Sequence, residues 1–307
     1  MTFDRKTLAI PDKTKFEEKT IITEGDVVIG DRCLLQFGIK TNGRIFIGEH
    51  AIIEGDLDAT DDIRADVFSN IRGNVKSGGN VYFGEKCKIN GRLSLKGDLD
   101  VGDSVEIEKG FEAKGWINIR SPIPVVIYLF IYLTQLLKVG HSEEIDRILE
   151  EIEENDGETI PISEKFLFIP NSSIIGIQKS KIDSNLNVGK KSNVLGNFDV
   201  KGNVFICDDV EMHGTIKSTG DVFCGKNVTI QGNIDSNGDV KIEEDSLIAG
   251  NIFGKRVCIS KKATINGMLH AKEGVSFTSP SKIKTEDKVK RFENDADVVD
   301  EVEDMLE

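Results

Sequence analysis

The sequence repeats itself at every eighteenth position, and no other feature limits its possible folds so far. From Gly25 the segments read "GDVVIGDRCLLQFGIKTN", "GRIFIGEHAIIEGDLDAT", "DDIRADVFSNIRGNVKSG", "GNVYFGEKCKINGRLSLK" and "GDLDVGDSVEIEKGFEAK", and a sixth opens with "GWINIRSP". Apolar residues recur at positions 3, 5, 9, 11 and 15 of each segment, and glycine gathers at positions 1, 6 and 13. Alternation of period two predicts short, half-buried strands. The glycines predict corners, where a chain turns sharply without a Cβ penalty. A second array starts its segments at Ser184, Gly202, Gly220, Gly238, Lys255 and Glu273, with one segment a single residue short. The arrays are displaced by 159 positions: "LAIP" at Leu8 matches "LFIP" at Leu167, and Gly30, Gly55, Gly73 and Gly91 match Gly189, Gly214, Gly232 and Gly250.

One such coil cannot bury its own apolar side, whereas a parallel stack at the ordinary strand spacing of ~4.8 Å buries a continuous thin core. The expected fold is all-β, with two short β-helices (β-solenoids) joined by an apolar helical hairpin insert. The expected boundaries are 1–121 for the first β-helix, 122–160 for the insert, 161–280 for the second β-helix and 281–307 for an acidic, disordered tail. Ile53, Ile71, Ile89 and Ile107 share position 11 and are expected to stack as a ladder.

The "GxVxIGxxAxIxGxL" cadence, clearest in "GRIFIGEHAIIEGDLDAT" and "GNVYFGEKCKINGRLSLK", resembles the bactofilins, a family of polymer-forming cytoskeletal proteins. The resemblance covers residues 21–121 and 180–279 in two tandem copies. It implies a right-handed β-helix with three faces per coil, nucleotide-free assembly by end-to-end contact, and a scaffolding role, often at a membrane. The period has a second reading. Eighteen is three hexapeptides, the signature of left-handed β-helix acyltransferases, and every sixth residue from Ile29 (Leu35, Thr41, Ile47, Ile53, Ala59, Ala65, Ile71) gives a passable hexapeptide ladder. A third reading is a non-polymeric adaptor.

An acyltransferase needs a general base beside a groove. His50, His213 and His270 fall at outward positions of regular coils with no inserted loop, and His141 stands before a helix start at Ser142, so no catalytic residue is expected. Acidic pairs such as Asp61–Asp62 and Asp208–Asp209 lie at corners and read as turn chemistry. No cluster has metal-ligand spacing, and no glycine loop leads into a helix to cradle a nucleotide. Neither metal nor cofactor is expected. Net charge is −14, and most of it lies in residues 141–158 and 281–307; without a basic stripe, nucleic acid is not an expected partner. The five cysteines are scattered and read as reduced thiols, with Cys33, Cys87 and Cys224 inward, Cys207 in a usual glycine place and Cys258 outward. The opening "MTFDRKTLAIPDKTKF" lacks an apolar run, which points to a cytosolic chain.

Against this polar background stands "SPIPVVIYLFIYLTQLLKVG", residues 121–140, uncharged from Ser121 to Leu137. A helix apolar on all sides must be buried or in lipid, and a thin solenoid has no bay to enclose it. Its uncharged length reaches ~25 Å, short of a ~30 Å bilayer core. Two expectations follow for Val125, Val126, Ile127, Tyr128, Leu129, Phe130, Ile131, Tyr132, Leu133, Leu136 and Leu137: contact with one leaflet, flanked by Arg120 and Lys138, or contact with another subunit. The amphipathic segment that follows, with Ile145, Ile148, Leu149 and Ile152 on one face, completes the hairpin. The array ends, "GWINI" and "GVSF", lack a cap of their own. Trp116, Ile117, Ile119, Val275 and Phe277 are therefore the expected polymer contacts. The expected protein is a self-assembling, non-enzymatic scaffold whose partners are itself and the inner face of the cell membrane, with cargo undefined.

Overall fold

The computed structural model describes residues 6–120 and 166–278. These residues are all-β and wind as β-solenoid coils of ~18 residues, about twelve turns in all. The expected fold class stands; the apolar hairpin, the acidic tail and the residues assigned to them lie outside the described residues. The described chain belongs to two compact units, one containing residues 9–11, 15–120 and 166–177 and the other residues 6–8, 12–14 and 178–278.

Each turn contributes three short strands, and each strand lies parallel to its equivalent one coil on. In the first unit one ladder runs Val27, Ile45, Ile63, Val81, Leu99, Ile117. A second runs Leu35, Ile53, Ile71, Ile89, Ile107. A third runs Ile21, Ile39, Leu57, Val75, Leu93, Phe111. The isoleucine stack at position 11 is the second of these. In the second unit Leu186, Val204, Val222, Val240, Val257 and Val275 stack in the same way. The inward positions of the first coil, Val27, Ile29, Cys33, Leu35 and Ile39, are all buried. Core and register agree because a one-residue slip would turn every apolar side chain outward.

The glycines lie at bends between strands, as expected, and a further corner of each coil carries a side chain. The left-handed corners fall on Arg32, His50, Phe68, Lys86 and Ser104, and on Lys191, Asp209, Asn227 and Asp245, each one period after the last, with φ between 54° and 60°. Most glycines sit where adjacent coils nearly touch. A Cβ on Gly55, Gly73 or Gly91 would lie 2.1–2.2 Å from a backbone atom of the coil before. At those bends glycine is needed for close approach, and only the left-handed corner is borne by residues that carry side chains.

Corner N–H groups that strand pairing leaves over are met by Asp and Asn one coil back. Asn74 N–H donates to Asp56 Oδ1 (2.6 Å), and Arg92 N–H to Asn74 Oδ1 (3.0 Å). In the second unit the N–H groups of Asn203, Asp221 and Asp239 donate in turn to the Asn or Asp one period earlier. This satisfies otherwise orphaned donors and explains the acidic corners, Asp62 (to Asn80 N–H, 2.6 Å) and Asp208 (to Lys226 N–H, 3.0 Å) among them. The one short segment leaves its own trace. Val257 pairs with Val240, one residue short of the period, and strand Ile252–Ser260 runs on where other coils break.

Candidate assembly surfaces

The stacks do not end as they run. Burial is lost in the last coil of each unit. Strand Ile117–Ile119 pairs with Leu99–Val101 and is exposed along its whole length. Trp116 is 85% exposed, Ile119 69% and Ile117 50%, with Phe111 beside them at 47%. In the second unit Leu269–Thr278 pairs with Ile252–Ser260, and Met268, Leu269, Val275 and Phe277 are exposed. Val275 and Phe277 continue ladders whose earlier members, Val257 and Ile259, are buried. Ile117, Ile119, Phe111, Leu269, Val275 and Phe277 continue ladders that are buried one coil earlier, and among the described residues no further coil covers them. Sequence reasoning named Trp116, Ile117, Ile119, Val275 and Phe277; Phe111, Met268 and Leu269 adjoin them and were legible from the same rule, as apolar residues of a terminal coil. The apolar segment Val125–Leu137 lies outside the described residues.

The described histidines do not form a catalytic constellation. His50 stacks on Phe68 at 4.8 Å, His213 contacts Glu211 at 3.1 Å, and His270 lies near Phe253. A shallow groove of about 290 Å³ on the first unit is lined by Thr20, Ile39, Lys40, Asp56, Leu57, Asp58, Asn74 and Lys76, with no histidine among them. Among the described residues no group of His, Cys, Asp or Glu could hold a metal ion, and no helix is long and apolar enough to cross a membrane.

The thiols divide as their places in the coil dictate. Burial pushes Cys33 up to about 11 and Cys224 up to about 12, and raises Cys87 and Cys207 as well. The Cys33 thiol donates to the Pro170 carbonyl at 3.1 Å. Cys258 is partly exposed on the outer side of its strand. Only a thiolate attacks an alkylating reagent. At pH 8 iodoacetamide should therefore label Cys258 well before Cys33, Cys87 or Cys224, as read by peptide mass spectrometry. Equal labelling of Cys224 in the native protein would refute the inward register of that ladder.

A stack of parallel coils with exposed apolar last strands defines a β-solenoid repeat protein. Residues 204–300 match the model of the Bactofilin family, described as polymer-forming cytoskeletal. No curated protein and no solved structure matches the chain.

Proposed function

We propose that this polymer-forming cytoskeletal protein assembles without nucleotide, by contact of the last coils of one molecule with those of the next, and that Ile123–Leu137 holds the polymer on the inner face of the cell membrane. The observation that carries the reading is the exposure of Ile117, Ile119, Val275 and Phe277 on strands that otherwise continue buried ladders, with Trp116 exposed beside them. Unpaired strand edges bearing apolar side chains invite another chain, and the family is a polymer-forming one. No nucleotide step is needed, because burying those side chains and pairing those backbone groups is itself favourable. The lipid contact is supported by the sequence: an uncharged, all-round apolar segment flanked by Arg120 and Lys138. The cytoplasmic placement is supported by the scattered cysteines, none of them in a disulfide.

Electron microscopy of the purified protein, with nucleotide removed by phosphatase treatment and dialysis, should show polymers. A strict monomer at high concentration would overturn the reading. Flotation with liposomes should carry the parent protein upward and leave the Leu129→Glu, Phe130→Glu variant behind with its β-sheet signal intact. If the parent stays down while the same variant loses its oligomers, the apolar segment is a contact between subunits.

A further inference from the structure

Ordinary coils of this protein step by eighteen positions. Glu49 N–H donates to Asp31 Oδ1, and Lys226 N–H to Asp208 Oδ1, both one period apart and both at 3.0 Å. The first coil of each unit breaks this rule. In the first unit, Asp31 N–H donates to Asn171 Oδ1 (3.0 Å), 140 positions away. In the second, Lys190 N–H donates to Asp12 Oδ1 (2.7 Å), 178 positions away.

The two departures are the same departure. Adding 159 to Asp31 gives Lys190, and adding 159 to Asp12 gives Asn171. The backbone repeats the relation. Ser172 N–H donates to the Asp31 carbonyl (2.8 Å) in the first unit, and Lys13 N–H to the Lys190 carbonyl (2.8 Å) in the second. Leu34 N–H donates to the Ser173 carbonyl (3.0 Å), and Asn193 N–H to the Thr14 carbonyl (2.9 Å). Each of these bonds becomes its partner in the other unit when each residue is replaced by its counterpart 159 positions away. Lys13 and Ser172 also share the left-handed corner, with φ of 62° and 60°.

The packing is that of genuine coils. Phe166–Ile169 lies parallel on Asp26–Ile29, and Ile174–Ile175 on Leu34–Leu35. Leu167, Ile169 and Ile175 are buried, as are Leu8 and Ile10. A Cβ on Gly30 would strike Asn171, as one on Gly48 strikes Asp31. Within the first unit Ala9 pairs antiparallel with Phe168, its own counterpart, as a reciprocal exchange requires.

We infer that the two arrays exchange their first coils: residues 166–177, from the second array, close the first solenoid, and residues 6–8 and 12–14, from the first array, close the second. The partner of each array's opening edge is therefore supplied within the same chain. The exchange stands on these contacts alone; its consequence, that a second copy adds only at the last coils, rests on the proposed assembly.

Paired cysteines in the full chain test it, in a Cys33→Ser background because Cys33 adjoins the site (its counterpart is Ser192). Asp12→Cys with Lys190→Cys, and Asp31→Cys with Asn171→Cys, should each give an intrachain disulfide, mapped by peptide mass spectrometry. Asp12→Cys with Asp31→Cys, and Asn171→Cys with Lys190→Cys, are the pairs that would form if each array stacked its own first coil, and they should not. Formation of these control pairs, disulfides joining two chains, or no disulfide in either exchanged pair would each overturn the inference. The unaltered protein gives an independent reading that survives any misfolded variant: a short amine-reactive cross-linker should join Lys13 to Lys190, and absence of that product counts against the exchange. Disulfides without polymers would leave the exchange standing and remove the assembly proposal; polymers without the disulfides would do the reverse.

Discussion

Replacing Ile89 by Asp is expected to destabilise the first unit by about 3–5 kcal/mol or more, a large share of the stability of an ordinary domain. Ile89 is fully buried, and it stacks between Ile71 and Ile107 in the position-11 ladder. The substitution removes an aliphatic side chain worth ~2 kcal/mol or more of burial. It also places a carboxylate in an apolar stack, which adds a desolvation cost of several kcal/mol or forces the group to take up a proton. In a solenoid each coil leans only on its neighbours, so the damage should spread along the stack from the altered coil. Lys88→Ala, one residue away, is the control. Lys88 points to solvent and meets Glu106 at 3.0 Å, with both side chains more than half exposed, so its loss should cost no more than about 1 kcal/mol. Urea midpoints of the two variants measure the contrast. An Ile89→Asp variant that unfolds with the parent would refute the inward register.

Charging both terminal coils, with Ile117→Asp and Phe277→Asp together, is expected to abolish polymers, and either change alone to shorten them to small oligomers. At 50% and 60% exposure these side chains contribute little to the fold of their own units, so the melting curve should shift little. At a contact between copies, each Asp would be desolvated against an apolar strand at ~2–4 kcal/mol, a factor of at least ~30 in association. Sedimentation separates polymer from monomer, and electron microscopy gives the length distribution. Full-length filaments from the double variant would rule out the terminal coils as the contact.

Much of this was legible in the sequence. Each coil needs apolar residues at the same positions, so Val27, Ile29, Cys33, Leu35 and Ile39 announced the core directly. The terminal residues were legible as well, since the apolar residues of an array's last coil have no later repeat in the sequence to cover them. The full purpose of the glycines was not. A missing side chain signals a tight turn and a close backbone approach equally, and only the distance from Gly73 to the Gly55 carbonyl shows that both apply there. The left-handed corner rests on residues as unlike as Arg32, Phe68 and Ser104, which leave no common pattern to read.

The coil length, the three ladders per turn and the inward set follow from the order of the amino acids, because an alternating apolar pattern of period 18 has only one register that buries it. Which coil lies on which is settled only in the folded chain. Every coil presents nearly the same edge, so the apolar pattern accepts "LFIP" on Val27 as readily as "LAIP". The choice of Asn171 for Asp31, and of Asp12 for Lys190, is made by side-chain oxygens meeting backbone N–H groups 140 and 178 positions away. No local pattern encodes a choice between two equivalent edges.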